Sequence, residues 1–101
     1  MAFEPDPDRA FVKVMPLYSD TRERVALERW EGGAEVVLDA GNGLEVLVLK
    51  GGFEVGGERF SLQSWLRLPT GSSSKAVAGL AGVTVWTKRD HLSVVPQAPA
   101  Q

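Results

Sequence analysis

The 101-residue sequence contains no cysteine. Disulfide bonds, catalytic thiolates and zinc sites built from cysteine are therefore excluded. Histidine is almost as scarce, because the chain has a single one, His91. A lone histidine that follows the last predicted strand is typical of a surface or dimer-edge residue, since no nucleophile or second metal ligand is recognisable beside it.

An excess of basic residues is also missing. The 11 Lys and Arg residues face 13 Asp and Glu residues, which gives a formal net charge of −2. Because phosphate backbones are bound by basic faces, and no run of Lys and Arg is present, the sequence argues against a nucleic-acid partner. No apolar stretch is long enough to span a bilayer, and the acidic N-terminus lacks a signal-peptide profile. We therefore expect a cytoplasmic protein with no membrane partner.

The chain is short enough to form one domain, and its hydrophobic share of 44% is ordinary for a globular protein. Its most informative stretch runs from Leu44 to Leu68. Short apolar runs alternate there with glycine turns, and the Gly56-Gly57 pair is typical of a tight hairpin. The pattern predicts strands at Leu44–Leu49, Phe53–Val55, Glu58–Leu62 and Trp65–Leu68, with Pro69 ending the last.

The flanking segments also favour strands. We predict them at Ala10–Tyr18, Ala34–Leu38, Lys75–Ala78 and Val83–Lys88, with a turn at Gly79–Gly82 before the last. Residues 1–9 are predicted to form an extended arm and residues 93–101 a flexible tail. About eight short strands with frequent glycine turns indicate an all-β sandwich or barrel.

One stretch, Ser19–Glu31, is ambiguous. Asp20 followed by Glu23 has the spacing of a helix capping box, whereas alternation from Arg24 to Trp30 is typical of a strand. Because the other segments are β-like, we favour the strand.

Two strings in this sequence resemble the cupin superfamily. They are Glu45–Gly51 (EVLVLKG) and Ser64–Ser72 (SWLRLPTGS), and the nearest pattern is that of the ChrR-type cupins, named for the C-terminal domain of a zinc-dependent anti-sigma factor. Arg29-Trp30, Val85–Lys88 and Asp90–Leu92 also fit. The resemblance covers roughly residues 9 to 92 and implies an RmlC-like jelly-roll barrel over residues 10–92. It also implies a homodimer, because such cupins often exchange N-terminal strands.

The resemblance further implies a metal site, which this sequence does not preserve. The family's glutamate position falls on Glu45, but its first two histidines, expected between Leu38 and Asn42, are absent. The last histidine position falls near Ser74, and the neighbouring Lys75 would repel a cation. One carboxylate does not hold a transition metal against water. We therefore predict a metal-free cupin without a cofactor, which acts as a non-catalytic small-molecule-binding or regulatory module.

The predicted ligand-binding residues lie in the barrel interior: Glu45, Leu47, Arg67, Ser74 and Trp86. Glu45 has a plainer interpretation, as one half of an ion pair with Arg67 or Lys75. The tryptophans likewise have a plainer role as core residues.

Two alternatives remain open. In one, the chain is a metal-independent isomerase or epimerase in which Glu45 works as acid-base with Tyr18 or His91. In the other, it is a structural homodimer whose barrel is filled by Leu47, Leu49 and tryptophan side chains. The helical sigma-binding domain that accompanies ChrR-type cupins has no counterpart in the sequence, so direct sigma-factor inhibition is not expected.

Overall fold

A computed structural model describes residues 2–19 and 23–89 of the chain. They form eight strands: β1 (Glu4–Pro5), β2 (Val12–Ser19), β3 (Arg24–Trp30), β4 (Glu35–Asp39), β5 (Leu44–Val55), β6 (Glu58–Phe60), β7 (Trp65–Leu68) and β8 (Ser73–Arg89). These ranges contain no helix, and therefore no helix that could cross a membrane. The predicted all-β architecture is confirmed.

Two long strands, β5 and β8, hold the fold together because each runs through both layers of the barrel. The C-terminal half of β8 lies between β3 and the first half of β5, and β2, β1 and β7 extend this first layer. The N-terminal half of β8 lies between β4 and the end of β5, which pairs with β6. All pairings are antiparallel, as in a jelly roll.

The long strands bend from one layer to the other at glycines. Gly51 in β5 and Gly82 in β8 have positive φ angles of 79° and 83°. A Cβ atom at Gly51 would lie 2.2 Å from the carbonyl oxygen of Gly82, so only glycine allows the two strands to cross this closely. The predicted breaks at Gly51-Gly52 and at Gly79–Gly82 are therefore wrong, because the strands continue through the glycines with a bulge or bend.

The barrel interior is filled by alternate side chains of the facing layers. Trp30 from one layer packs against Phe53 from the other, with ring centroids 5.2 Å apart, and Phe53 stacks on Phe60 at 5.1 Å. Aliphatic residues complete the core, among them Val36, Leu38, Leu44, Val46, Val48, Ala76, Val83 and Val85. Burying each Val or Leu contributes about 1.5–3 kcal/mol to folding.

The core contains only one of the side chains that were predicted to fill it. Leu49 is 41% exposed, and Leu47 is only half-buried. Of the three tryptophans, Trp30 is in the core, whereas Trp65 is 47% exposed and Trp86 is half-buried. The prediction that the tryptophans are core residues is therefore correct for Trp30 only. The prediction that Leu47 and Leu49 fill the barrel is wrong.

The ambiguous stretch resolves as a strand from Arg24 to Trp30. It is hydrogen-bonded to β2 on one side and to β8 on the other, and this double pairing favours the strand over local helix signals. Its inward residues are Ala26, Glu28 and Trp30. The remaining predictions on Asp20, His91 and the tail 93–101 fall outside the described residues.

Candidate functional site

A carboxylate is buried on the inner face of β3. Glu28 is 2% exposed, and it lies between the inward side chains of Ala26 and Trp30. A buried carboxylate is unfavourable unless charges and hydrogen bonds compensate it. The groups that surround Glu28 therefore form a candidate functional site.

Three donors hold Glu28. The indole Nε1 of Trp30 donates to its Oε1 at 3.0 Å, and Nη2 of Arg89, at the end of β8, donates to its Oε2 at 3.0 Å. Nη2 of Arg9 lies 3.0 Å from the same Oε2. Arg9 is itself anchored by Asp6, whose Oδ2 accepts hydrogen bonds from its Nε at 3.1 Å and its Nη2 at 2.9 Å. We call Asp6, Arg9, Glu28 and Arg89 the charge cluster.

The charge cluster keeps its carboxylates ionised. Burial alone would raise the pKa of Glu28, but the hydrogen bond and charge of Arg9, the charge of Arg89 and the Trp30 hydrogen bond outweigh it and lower the pKa. Burial also acts to raise the pKa of Asp6, and the Asp8 backbone N–H and Arg9 reverse its effect. Both carboxylates are therefore charged at neutral pH.

A cavity of about 330 Å³ opens beside the charge cluster at one end of the barrel. We call it the mouth cavity. Its lining comprises the cluster itself, the inward residues Val14, Pro16, Ala26 and Thr87, and a rim that includes Tyr18 and Arg24. Three arginines and two carboxylates line it, so its net charge is positive. Nη1 of Arg9 is buried and has no hydrogen-bond partner in the described part of the chain.

Four of the five predicted ligand-binding residues lie elsewhere, on the outer face of the barrel. They are Glu45, Leu47, Arg67 and Trp86. Along β5, the buried Val46 and Val48 alternate with Glu45 and Leu47, which therefore point away from the core. The interior location predicted for these four residues is wrong, and a ligand-binding role for them stays a prediction.

On the outer face these residues pair with one another. Arg67 and Trp86 lie opposite Glu45 and Leu47 on neighbouring strands. Nε of Arg67 is 3.9 Å from Glu45 Oε2, as the ion-pair interpretation of Glu45 predicted, but the pair is not inside the barrel. Trp86 meets Trp65 edge-on, with ring centroids 5.7 Å apart.

The inward residues at and beside the positions where the resemblance implied metal ligands are three aliphatic residues and one serine. Leu38, Ala40 and Leu44 are at most 2% exposed, and Ser74, the fifth predicted residue, lies opposite Leu38 on the inner face. Aliphatic groups offer a metal no donor atoms. Within residues 2–19 and 23–89 no group of three His, Asp or Glu side chains is arranged to hold an ion. The side chains present in this part of the interior do not provide the set of ligand atoms that a metal-binding cupin needs.

The structure does not bring Glu45 and Tyr18 together, as the isomerase or epimerase hypothesis would require. Tyr18 lines the mouth cavity, whereas Glu45 does not. Tyr18 lies opposite Val25, Val25 lies opposite Lys88, and Lys88 lies opposite Glu45 on successive strands. Tyr18 and Glu45 are therefore three strand spacings apart, or roughly 14 Å. His91, the other suggested partner, lies outside the described residues.

Sequence reasoning missed the charge cluster although a signal for it was present. Glu28 shares its period-two face with Ala26 and Trp30, so a strand that buries Trp30 also buries Glu28. Arg9 and Arg89 carry no such signal, because they are separated from Glu28 by 19 and 61 positions and meet it only through folding.

The sequence matches no protein-family model and no curated protein. Solved structures do match. The anti-sigma factor ChrR of Rhodobacter sphaeroides, solved in complex with SigE, superposes with a TM-score of 0.78 at 18% identity, over 88% of this chain and 49% of that one. An RmlC-like cupin from Ralstonia eutropha gives a TM-score of 0.75 at 13% identity, covering 88% and 62%. An acetylacetone dioxygenase from Acinetobacter johnsonii gives 0.70 at 17% identity, covering 86% and 66%.

These likenesses establish the fold. The chain has the cupin fold of the RmlC-like type, and the predicted similarity to the ChrR cupin is confirmed at the level of the fold. The chain spans about half the length of ChrR. Since the similar structures include both an anti-sigma factor and an enzyme, the fold alone selects no activity.

Proposed function

We propose that the chain is a non-catalytic, metal-free cupin domain that binds a small anionic molecule in its mouth cavity and so acts as a ligand-responsive regulatory module. The observation that carries the proposal is the charge cluster. Arg9 and Arg89 are already positioned by Glu28 and Asp6, and the buried Nη1 of Arg9, beside a cavity, has no hydrogen-bond partner among the described residues.

The ligand class follows from the lining. Guanidinium groups bind carboxylates with paired hydrogen bonds, and the arginines here outnumber the acids. A volume of about 330 Å³ suits a small organic acid. The apolar side chains of Val14, Pro16 and Ala26 would contact its hydrocarbon part.

The same geometry argues against acid-base catalysis. A general base is most effective when its pKa lies near the working pH. The pKa of Glu28 is shifted the other way, because Arg9, Arg89 and Trp30 stabilise its charged form more than burial destabilises it. A carboxylate held this way works as a structural anchor for the arginines.

A titration monitored by ¹H–¹⁵N NMR tests the binding proposal. Malonate should shift the backbone amides of Ala26 and Thr87 in a saturable manner, whereas the uncharged malonamide should not. Arg24→Gln, at the rim, should weaken malonate binding several-fold, and the spectrum of this variant should remain that of a folded protein. Arg59→Gln, a matched exposed change on β6, should leave binding unaltered. Absence of saturable shifts with malonate, succinate and citrate at millimolar concentrations would count against the proposal.

We also propose that the domain is a cytoplasmic homodimer that associates through an apolar row on the outer face. The row runs in register across five strands: Met15, Leu27, Trp86, Leu47 and Trp65. A second copy presents the same row, so the patch is complementary to itself. Trp65 is 47% exposed in the single chain. Sedimentation should give a dimer that Trp65→Ser weakens, and cell fractionation tests the location.

A further inference from the structure

A second concave site lies on the outer face, where β5 and β8 bend. It is a groove of about 490 Å³, whose charged and hydroxyl side chains are Lys13, Arg29, Glu31, Lys50 and Thr84. We call it the outer groove. Gly51 and Gly82 are also among its lining residues. It shares no lining residue with the mouth cavity.

Three cations of the groove form a row across neighbouring strands. Lys13 on β2 lies opposite Arg29 on β3, Arg29 lies opposite Thr84 on β8, and Thr84 lies opposite Lys50 on β5. Side chains directly opposite in an antiparallel pair are roughly 5 Å apart at Cβ, where like charges destabilise the sheet.

Within residues 2–19 and 23–89, these cations have no acidic partner in a salt bridge. In the part of the chain that the structure describes, none of the salt bridges engages Lys13, Arg29 or Lys50. Glu31 is the one carboxylate among the lining residues, so the groove has a net positive charge. An anionic ligand would stabilise a row of three cations that share a single carboxylate as counter-charge.

A bulge directs Lys50 into the groove. The register of β5 against β8 shifts between Val48 and Lys50, with Leu49 as the extra residue. Without this shift Lys50 would lie opposite the core residue Val83 and would point inward. With it, Lys50 lies opposite Thr84 on the outer face. Bulges are frequent next to functional sites, where they re-aim a side chain.

Arg29 is held in place by an aromatic ring. Its guanidinium carbon lies 4.0 Å from the ring centroid of Phe3. Stacking on a ring fixes the guanidinium plane and leaves its N–H edge available for two oxygens of one oxyanion.

We propose that the outer groove binds the phosphate groups of a small phosphorylated molecule. Arg29 supplies a planar fork of donors, Lys13 and Lys50 supply point charges on either side, and Thr84 supplies a hydroxyl donor. The row spans roughly 14 Å from Lys13 to Lys50, three strand spacings, which accommodates more than one phosphate. A bounded groove of this volume fits a small molecule better than an extended acidic chain.

Titration of the ¹⁵N-labelled chain with pyrophosphate at constant ionic strength tests this site. The expected result is saturable shifts of the amides of Gly51, Gly82 and Thr84, with a concentration dependence independent of any shifts that pyrophosphate causes at Ala26 and Thr87 in the mouth cavity. Lys50→Gln and Arg29→Gln should each weaken binding about tenfold or more, since hydrogen bonds to charged groups are individually strong. Lys75→Gln, a matched exposed change on β8, should leave the affinity unchanged.

Three outcomes would overturn the proposal. The first is the absence of saturable shifts at millimolar pyrophosphate. The second is equal weakening by Lys75→Gln and Lys50→Gln, which would indicate non-specific attraction. The third is binding of a poly-glutamate peptide to the groove without binding of pyrophosphate, which would assign the site to an acidic protein segment. The ligand-free spectrum of each variant is compared with that of the native chain, so that loss of structure is distinguished from loss of binding.

Discussion

Replacing Glu28 by glutamine tests the role of the charge cluster in detail. Glutamine has nearly the same shape and can still accept the hydrogen bond from Trp30 Nε1, but it removes the negative charge between Arg9 and Arg89. Both arginine side chains are about one-fifth exposed, so their charges are only partly compensated by water. Breaking a buried ion pair by removing one partner typically costs about 3–5 kcal/mol.

We therefore expect Glu28→Gln to lower the free energy of unfolding by about 3 kcal/mol or more. For a domain of this size, each kcal/mol corresponds to about 4 °C or more in Tm, so the Tm should fall by at least ~12 °C. Urea denaturation at pH 7 measures the change directly. Glu45→Gln is the matched control, because its partner Arg67 is 73% exposed and a surface pair contributes about 0–1 kcal/mol.

The pH dependence gives a second readout of the same change. Because the pKa of Glu28 is lowered in the folded state, its charged form contributes stability above its ordinary pKa of 4.5, and this contribution is lost as the pH falls through the folded pKa. The stability difference between the native chain and Glu28→Gln should therefore be largest near neutral pH and should shrink below pH 4.5. A difference under ~1 kcal/mol at pH 7, or one that does not change with pH, would refute the reasoning.

The remaining predictions concern the interior and the bends. Leu38→Ala should lower the free energy of unfolding by about 2–5 kcal/mol in urea, whereas Val37→Ala, its exposed neighbour, should change it by only ~0.5 kcal/mol; equal effects would mean that the two faces of β4 are misassigned. Gly51→Ala should disrupt folding as judged by NMR dispersion, because its Cβ would lie 2.2 Å from Gly82 O, whereas Gly33→Ala, also at positive φ but with open space around it, should cost only about 1–2 kcal/mol. A well-folded Gly51→Ala chain would contradict the close crossing of β5 and β8.

The strands themselves were largely predictable from sequence. Alternation in Leu44–Leu49 and Val83–Lys88, together with the Gly56-Gly57 turn, identifies their approximate bounds because period-two patterning and turn chemistry are local properties. The continuation of β5 and β8 through their glycines was not predictable in this way. Whether a glycine ends a strand or bends it depends on the partner that crosses there, as Gly82 crosses Gly51.

The face of each strand was the weaker part of the prediction. Glu45 was predicted to point into the barrel, but it lies on the outer face of β5. Because side chains alternate along a strand, an error of one residue exchanges the inner and outer faces. Leu44, Val46 and Val48 form the more uniformly apolar set, and they are the buried one. The charge cluster depends on contacts between the N-terminal arm, β3 and the end of β8, which no local pattern encodes.

The metal content of the purified chain tests most directly the claim that hydrocarbon side chains have replaced a metal site inside the barrel. Elemental analysis of the protein, expressed in medium containing zinc, iron and manganese and then dialysed against a chelator, is predicted to give far less than one equivalent of any of these metals. Stoichiometric metal that survives chelation would contradict the claim, and with it the proposal of a metal-free ligand-binding domain.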